Sequence, residues 1–220
     1  MSRGSRAQHA LWPALGALLL VLSACSNTPE LSAEAQEAAT EALESGAVQI
    51  GAVTLTGDSL ENQPKDIQIS LDPTTDPGIG RVAPTLTGTG FDGSTVEVGP
   101  GGEPTILLFV AHWCPHCQAE VPVVQKLVSD GSLPAGVRVV AVSTAVNESA
   151  TNYPPSAWLE VEGWTSPTIM DDADSTAIKA FGGQAFPYAV FLTADNVVVA
   201  RSAGEVSPTQ IVQLAERLVG

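Results

Sequence analysis

Cys114 and Cys117 stand two residues apart in Cys114-Pro115-His116-Cys117, with His112 and Trp113 directly before them. Two thiols at that spacing can close into a disulfide and reopen with little backbone movement, because one helical turn brings the second sulfur to the first. The apolar run Thr105–Val110 precedes the pair, and Val121, Val124, Leu127 and Val128 follow it at helical spacing within 115–128. The pair is therefore expected where a buried strand ends and a helix begins. A helix N-terminus has unpaired N–H groups and the positive end of its dipole, both of which favour a thiolate over a thiol. Thiols in such Cys-x-x-Cys settings fall from about 8.5 to between ~3.5 and ~7. Pro115 suits the first helical position, where its missing N–H would be unpaired anyway. His116 adds a donor beside the Cys114 sulfur and, when protonated, a charge. A stabilised thiolate favours the reduced form and so makes the disulfide more oxidising. Cys114 is read as the attacking thiol and Cys117 as the one that resolves a mixed disulfide, with Trp113 covering one side of the pair.

The elements that must position this pair follow from periodicity and punctuation. Val137–Ser143 reads as a second buried strand, Trp158–Trp164 as a helix, Thr168–Met170 as a short apolar strand, and Ser175–Phe181 as a helix stopped by Gly182-Gly183. Tyr188–Thr193 and Val197–Ser202 flank a turn at Ala194-Asp195-Asn196, and a last helix starts at Ser207 or Pro208. Asp92-Gly93 marks a tight hairpin turn before Ser94–Val98. Further upstream, Ala47–Leu55 and Ile67–Leu71 partly alternate and read as short strands at the domain edge. The segment Ala52–Gly57 echoes Ala83–Gly88, but six residues seen twice do not make a repeat architecture. Strands alternating with helices, then a hairpin and a helix, demand one α/β domain with a central sheet covered on both faces.

Composition bounds the function classes. The 220 residues are 44% apolar and 15% charged, too apolar for a disordered chain and enough for one core. Nine Lys and Arg against 24 Asp and Glu leave a charge of −15, so no cationic face can gather for nucleic acid. The acidic surplus reads as a solvated surface. Three cysteines are too few to staple a small domain, and Cys25 stands apart from the close pair.

Arg3 and Arg6 precede an apolar run from Ala10 to Leu22. Thirteen residues reach only about 20 Å as a helix, short of the ~30 Å hydrocarbon core, so the segment reads as a secretory signal peptide. It ends in Leu22-Ser23-Ala24-Cys25, which resembles the lipobox of bacterial lipoproteins. That resemblance implies cleavage after Ala24 and acylation of Cys25, anchoring the chain outside the cytoplasm; an ordinary signal peptide is the alternative. The expected organisation is a signal peptide at 1–24, an acidic tether and N-terminal extension at 25–71, and the α/β domain at 72–220.

Trp113-Cys-Pro-His-Cys117 after an apolar strand resembles the active site of the thioredoxin superfamily, and Phe109–Pro122 resembles its TlpA/ResA/DsbE group. The resemblance covers Asp72 to Gly220 and implies a thioredoxin-like fold, a central mixed sheet flanked by helices, with an N-terminal β-hairpin extension at Ala83-Pro84 and Asp92-Gly93. It implies that Glu120 lies beneath the pair and influences its proton transfers. It also implies that Pro187, within Gly183-Gln-Ala-Phe-Pro187, is the cis-proline opposite the disulfide. From the residues alone, Glu120 could be a solvated helix residue, although its place one turn after Cys117 and close to Val121 and Val124 favours partial burial, and Pro187 could be an ordinary trans proline. Phe186 replaces the smaller residue usual before that proline. The backbone there normally pairs with the substrate chain, so Phe186 and Trp113 are the expected substrate-facing residues. The Pro-His dipeptide is that of the DsbA oxidases.

The expected function is a membrane-tethered extracytoplasmic thiol–disulfide oxidoreductase acting on secreted or membrane-exposed protein thiols and disulfides. It needs no dissociable cofactor, and a membrane redox partner resets the Cys114–Cys117 pair. Oxidase is placed ahead of reductase, the latter serving a task such as cytochrome c maturation. A thioredoxin-like copper metallochaperone is the alternative from another class, since soft thiolates suit Cu(I). A zinc site with His112 and His116 is disfavoured, because four donors within six residues do not easily surround a tetrahedral ion. A peroxide-reducing enzyme would need an upstream Thr or Ser and an Arg clamp, which Phe109-Val-Ala-His-Trp113 does not offer.

Overall fold

The computed structural model describes residues 49–220. The leader, Cys25 and the tether as far as residue 48 lie outside the described residues. Nine strands and four helices follow in the order β1 (Thr54–Thr56), β2 (Ile69–Ser70), β3 (Thr85–Thr89), β4 (Thr95–Val98), β5 (Thr105–Val110), α1 (Pro115–Ser129), β6 (Arg138–Ser143), α2 (Pro155–Val161), β7 (Thr168–Met170), α3 (Thr176–Ala180), β8 (Tyr188–Leu192), β9 (Val198–Ala203) and α4 (Pro208–Glu216).

Six strands form the central sheet in the order β2-β9-β8-β5-β6-β7. The β5, β6 and β7 strands run parallel, joined by crossovers through α1 and α2, while β8 and β9 are antiparallel to their neighbours. Every residue of β5 is buried, as expected of a central strand covered on both faces. Its side chains alternate between two cores. Ile106, Leu108 and Val110 pack with Val121 and Val124 of α1, Trp158 and Leu159 of α2, and Ile211 and Leu214 of α4. Leu107 and Phe109 pack with Ile178 and Phe181 around α3 and with Leu86, Val96 and Val98. Those last three belong to a separate three-stranded sheet, β1-β3-β4, so the second face of the main sheet carries a β layer as well as a helix. This is a thioredoxin-like α/β arrangement with extra N-terminal strands.

Within the small sheet, the two echoing segments lie side by side. Leu55 pairs with Leu86, Thr54 with Thr87 and Thr56 with Thr85, so the recurring Thr-Leu-Thr is an antiparallel pair rather than a repeat unit. The expected hairpin turn is present: the Gly90 N–H donates to the Ser94 carbonyl at 2.8 Å, and Gly93 takes φ +79°. Three elements differ from the sequence reading by more than one residue. Among the described residues, the strand expected over 47–55 is Thr54–Thr56 and the one expected over 67–71 is Ile69–Ser70, because each pairs with a short stretch of neighbour. The expected Trp158–Trp164 helix instead runs Pro155–Val161, with proline at its first position; Gly163 at φ +68° ends it before Trp164.

Beyond the small sheet, the stretch around Glu61 and Asp76 is secured to β9 by a fully buried ion pair. Arg201 on β9 donates from Nε to Asp76 Oδ2 at 3.0 Å, from Nη2 to Asp76 Oδ1, and from Nη1 to the Glu61 carbonyl at 2.6 Å. Both side chains are wholly shielded from solvent. Gly182, at φ +77°, lets the chain pass so close to the Glu61 carbonyl that a Cβ would collide with it.

Candidate active site

Where β5 ends, Ala111 accepts a bond from the Cys114 N–H at 3.0 Å, and the chain turns into α1 with Cys114 at its N-cap and Pro115 at its first position. The helix begins there because Pro115 supplies the φ it needs and no donor that it lacks. Its first turn holds no acidic residue, so no carboxylate competes there for the unpaired N–H groups. Cys114 retains 6% of its surface, whereas Cys117, one turn further in, is fully buried. The two sulfurs are not bonded to each other.

The loop before β8 covers the pair. The Phe186–Pro187 peptide is cis, and the Cys114 S–H donates to the Phe186 carbonyl at 3.8 Å. A second cis peptide, Tyr153–Pro154, precedes α2. Trp113 sets its ring edge-on to Phe186 at 5.8 Å and donates from Nε1 to the Ala145 carbonyl at 2.7 Å. The two aromatic rings thus lie together, edge to face, next to the start of α1.

Glu120 is 4% exposed and accepts from the Val206 N–H at 3.2 Å. Burial, and secondarily the Glu205 carboxylate, push its pKa up to about 7 against the opposing effect of that bond. Burial also pushes the Cys117 thiol far above its ordinary range, with the Cys114 sulfur and the Glu120 charge adding to it. A buried thiol that resists ionisation thus sits near a carboxyl group that holds its proton to neutrality.

His112 is almost fully buried, and its two nitrogens meet different partners. The Asn147 N–H donates to Nε2 at 3.2 Å, which leaves Nδ1 to carry the proton toward the Thr151 carbonyl at 2.7 Å. Burial holds its pKa below the usual imidazole value, so the ring is neutral. It anchors the loops after β6 rather than presenting a free donor.

His116 departs from the sequence reading. Its ring lies on the exposed side of α1, and Nδ1 meets Glu205 Oε1 at 2.6 Å; its hydrogen bond goes there rather than to the Cys114 sulfur. Glu205 follows β9, 89 residues along the chain, and no local pattern marks it. The only nearby signal is Ser207, which caps α4 through a capping box with Gln210.

The Glu120 shift has a measurable consequence. The folded state holds this proton to about pH 7, whereas the unfolded chain releases it near 4.5. The associated stability is full below 4.5 and is lost as pH rises through 7. Across that window, the urea midpoint of the wild-type protein is expected to fall relative to Glu120→Gln, with parallel behaviour on either side. Curves parallel throughout would mean that Glu120 titrates normally.

No curated protein matches the sequence. Solved structures do. A DsbF homologue from Corynebacterium diphtheriae superposes with a TM-score of 0.59 at 19% identity, over 74% of this chain and 100% of its own. A thioredoxin-family thiol:disulfide interchange protein from Chlorobium tepidum gives 0.54 at 20% identity, over 64% and 97%. StoA from Bacillus subtilis gives 0.51 at 20% identity, over 63% and 98%. These likenesses are of fold, and they agree with the thioredoxin-like arrangement of the central sheet. Residues 79–212, which contain both cysteines, Glu120, Pro187 and Glu205, match the AhpC/TSA family model, and the chain belongs to that family.

Proposed function

We propose that the protein is an extracytoplasmic thiol–disulfide oxidoreductase that exchanges disulfides with protein substrates through Cys114 and Cys117. The observation that carries this reading is the placement of Cys114 at the start of α1. Cys114 keeps a little surface, with its sulfur against the Phe186 carbonyl, while Cys117 is sealed one turn behind. The fold relatives support the same reading, one being a thiol:disulfide interchange protein from Chlorobium tepidum and another a DsbF homologue from Corynebacterium diphtheriae.

In the oxidising direction, a client thiolate attacks the Cys114 sulfur of the closed pair. The Cys114–Cys117 bond breaks, and Cys117 leaves with the bonding electrons and takes a proton. Glu120 is matched to that transfer, since it still holds a proton near neutrality while Cys117 strongly favours the thiol form. A second client thiolate then attacks the client sulfur of the mixed disulfide and releases Cys114. The client becomes a disulfide, and the protein keeps two electrons as a dithiol, which a membrane redox partner removes. The reductase direction runs these steps backwards: the Cys114 thiolate opens a client disulfide, Glu120 accepts the Cys117 proton, and Cys117 resolves the intermediate. Trp113 and Phe186 form the apolar surface against which the client chain lies.

The organisation proposed with this activity is a signal peptide at 1–24, a lipid on Cys25, a tether and extension at 25–71, and the catalytic domain at 72–220. Among the described residues, no helix is long and apolar enough to cross a membrane. Family membership does not turn the reading toward peroxide. Trp113, His112 and Ala111 precede Cys114, Arg201 is consumed by Asp76, and Arg138 donates to the Glu97 carbonyl and to Thr105.

The deciding experiment equilibrates the soluble domain with glutathione buffers. A potential of about −120 to −180 mV makes the protein a disulfide donor, and one near −270 mV makes it a reductase held reduced by its partner. Failure to exchange with glutathione, together with tight stoichiometric Cu(I) binding, would overturn both in favour of a copper carrier. In that carrier the His112 nitrogens would contribute nothing, because both are bonded to the backbone.

A further inference from the structure

The loop that follows β9 touches the redox site at several points. The Gly204 N–H donates to the Pro187 carbonyl at 2.8 Å, and the Val206 N–H donates to Glu120 Oε2 at 3.2 Å. Between them, the Glu205 carbonyl accepts from Gln68 Nε2 at 2.7 Å, and the Glu205 side chain meets His116 Nδ1 at 2.6 Å. The cis-proline loop, α1 and the N-terminal extension therefore all fix one short segment, whose carboxylate lies against the histidine of the redox motif.

We propose that Glu205 is a positioning residue for the redox pair: by holding His116 through Nδ1, it withholds the imidazolium from the Cys114 thiolate and makes the pair less oxidising than the Pro-His dipeptide alone would make it. The proposal rests on the oxidoreductase reading and deepens it. From the loop after β9, the His116 ring meets Glu205; from its own helix the neighbouring titratable groups are Cys114, Cys117 and Glu120. The Gln68 side chain, from the extension, is uncharged and donates to the Glu205 backbone carbonyl. When the ring is protonated, the carboxylate cancels its charge and holds its Nδ1–H away from the Cys114 sulfur. The thiolate then loses the stabilisation that the imidazolium would supply, so the reduced form is less favoured.

The test compares wild type, Glu205→Gln, His116→Ala and the double variant in glutathione redox buffers at pH 7. Two glutathione thiols give two electrons and two protons to the disulfide, forming the dithiol and one glutathione disulfide. Glu205→Gln keeps the shape of an exposed side chain and removes only its charge. It is expected to shift this equilibrium toward the reduced protein by up to about fivefold, the scale of an exposed ion pair. Thiolate ultraviolet absorbance should show Cys114 ionising at lower pH in the same variant. In the His116→Ala background, the same change should have much less effect on both readouts. An equal shift in both backgrounds would mean that Glu205 acts as a bare charge, and the proposal fails. No shift in either, with normal exchange, also overturns it while leaving the oxidoreductase reading intact. Absence of exchange in the wild type would instead sink that reading.

Discussion

Replacing Cys117 with serine is expected to leave the protein covalently held to its client, while replacing Cys114 abolishes the adduct altogether. The asymmetry follows from burial. Cys114 alone offers its sulfur to an incoming chain, beneath the Phe186 carbonyl, whereas Cys117 is fully buried and favours the thiol form. A client that forms a mixed disulfide with Cys114 can then be released only by Cys117 or by an outside thiol. In Cys117→Ser the internal route is gone, so the adduct persists until a reductant is added; in Cys114→Ser no reachable sulfur remains. Catalysed exchange should fall to background in both. Non-reducing electrophoresis and intact mass after reaction with a disulfide-bearing peptide separate the two variants. An adduct on Cys114→Ser and none on Cys117→Ser would reverse the roles assigned to the two thiols.

Asp76→Ala is expected to cost about 3–5 kcal/mol of stability, the scale of breaking a buried ion pair from one side. The reason is what remains. Arg201 would keep its charge in a solvent-free site, with only the Glu61 and Phe181 carbonyls and the Tyr188 hydroxyl as partners. Asp76 also accepts from the Gly78 N–H at 2.9 Å, so the turn that carries it loosens as well. Replacing both residues with apolar ones of similar volume should cost far less, because the desolvated charges leave together. Urea unfolding of the single and double variants measures the difference. A single-variant loss below about 1 kcal/mol would mean that water reaches Arg201 and that the pair is not sealed.

The active-site element is local, and that is why it is legible in the sequence. Thr105–Val110, the proline at the first position of α1 and the cysteine spacing fall within a few dozen residues, and backbone geometry alone brings them together. The alternating strand and helix periods likewise identify the α/β class. Boundaries were less legible where pairing decides them. Thr54–Thr56 is a strand because Thr85–Thr87 lies beside it, and nothing in the local sequence itself selects those three residues. The α2 start was hidden because Trp158 reads as the opening of an apolar stripe, while the signal that counts is the proline at 155.

The sequence by itself determined the redox pair, the order of elements and the helix that carries the thiols, because these follow from short-range spacing and apolar periodicity. Only the tertiary structure decided the electrostatics around the pair. Glu205 reaches His116 across 89 residues, Val206 holds Glu120, Arg201 meets Asp76 across 125 residues, and burial raises the pKa of Glu120 and Cys117. Each depends on which loop packs against which helix and on how much water that packing removes. Charge in a protein responds to its three-dimensional surroundings, and no spacing along the chain records them.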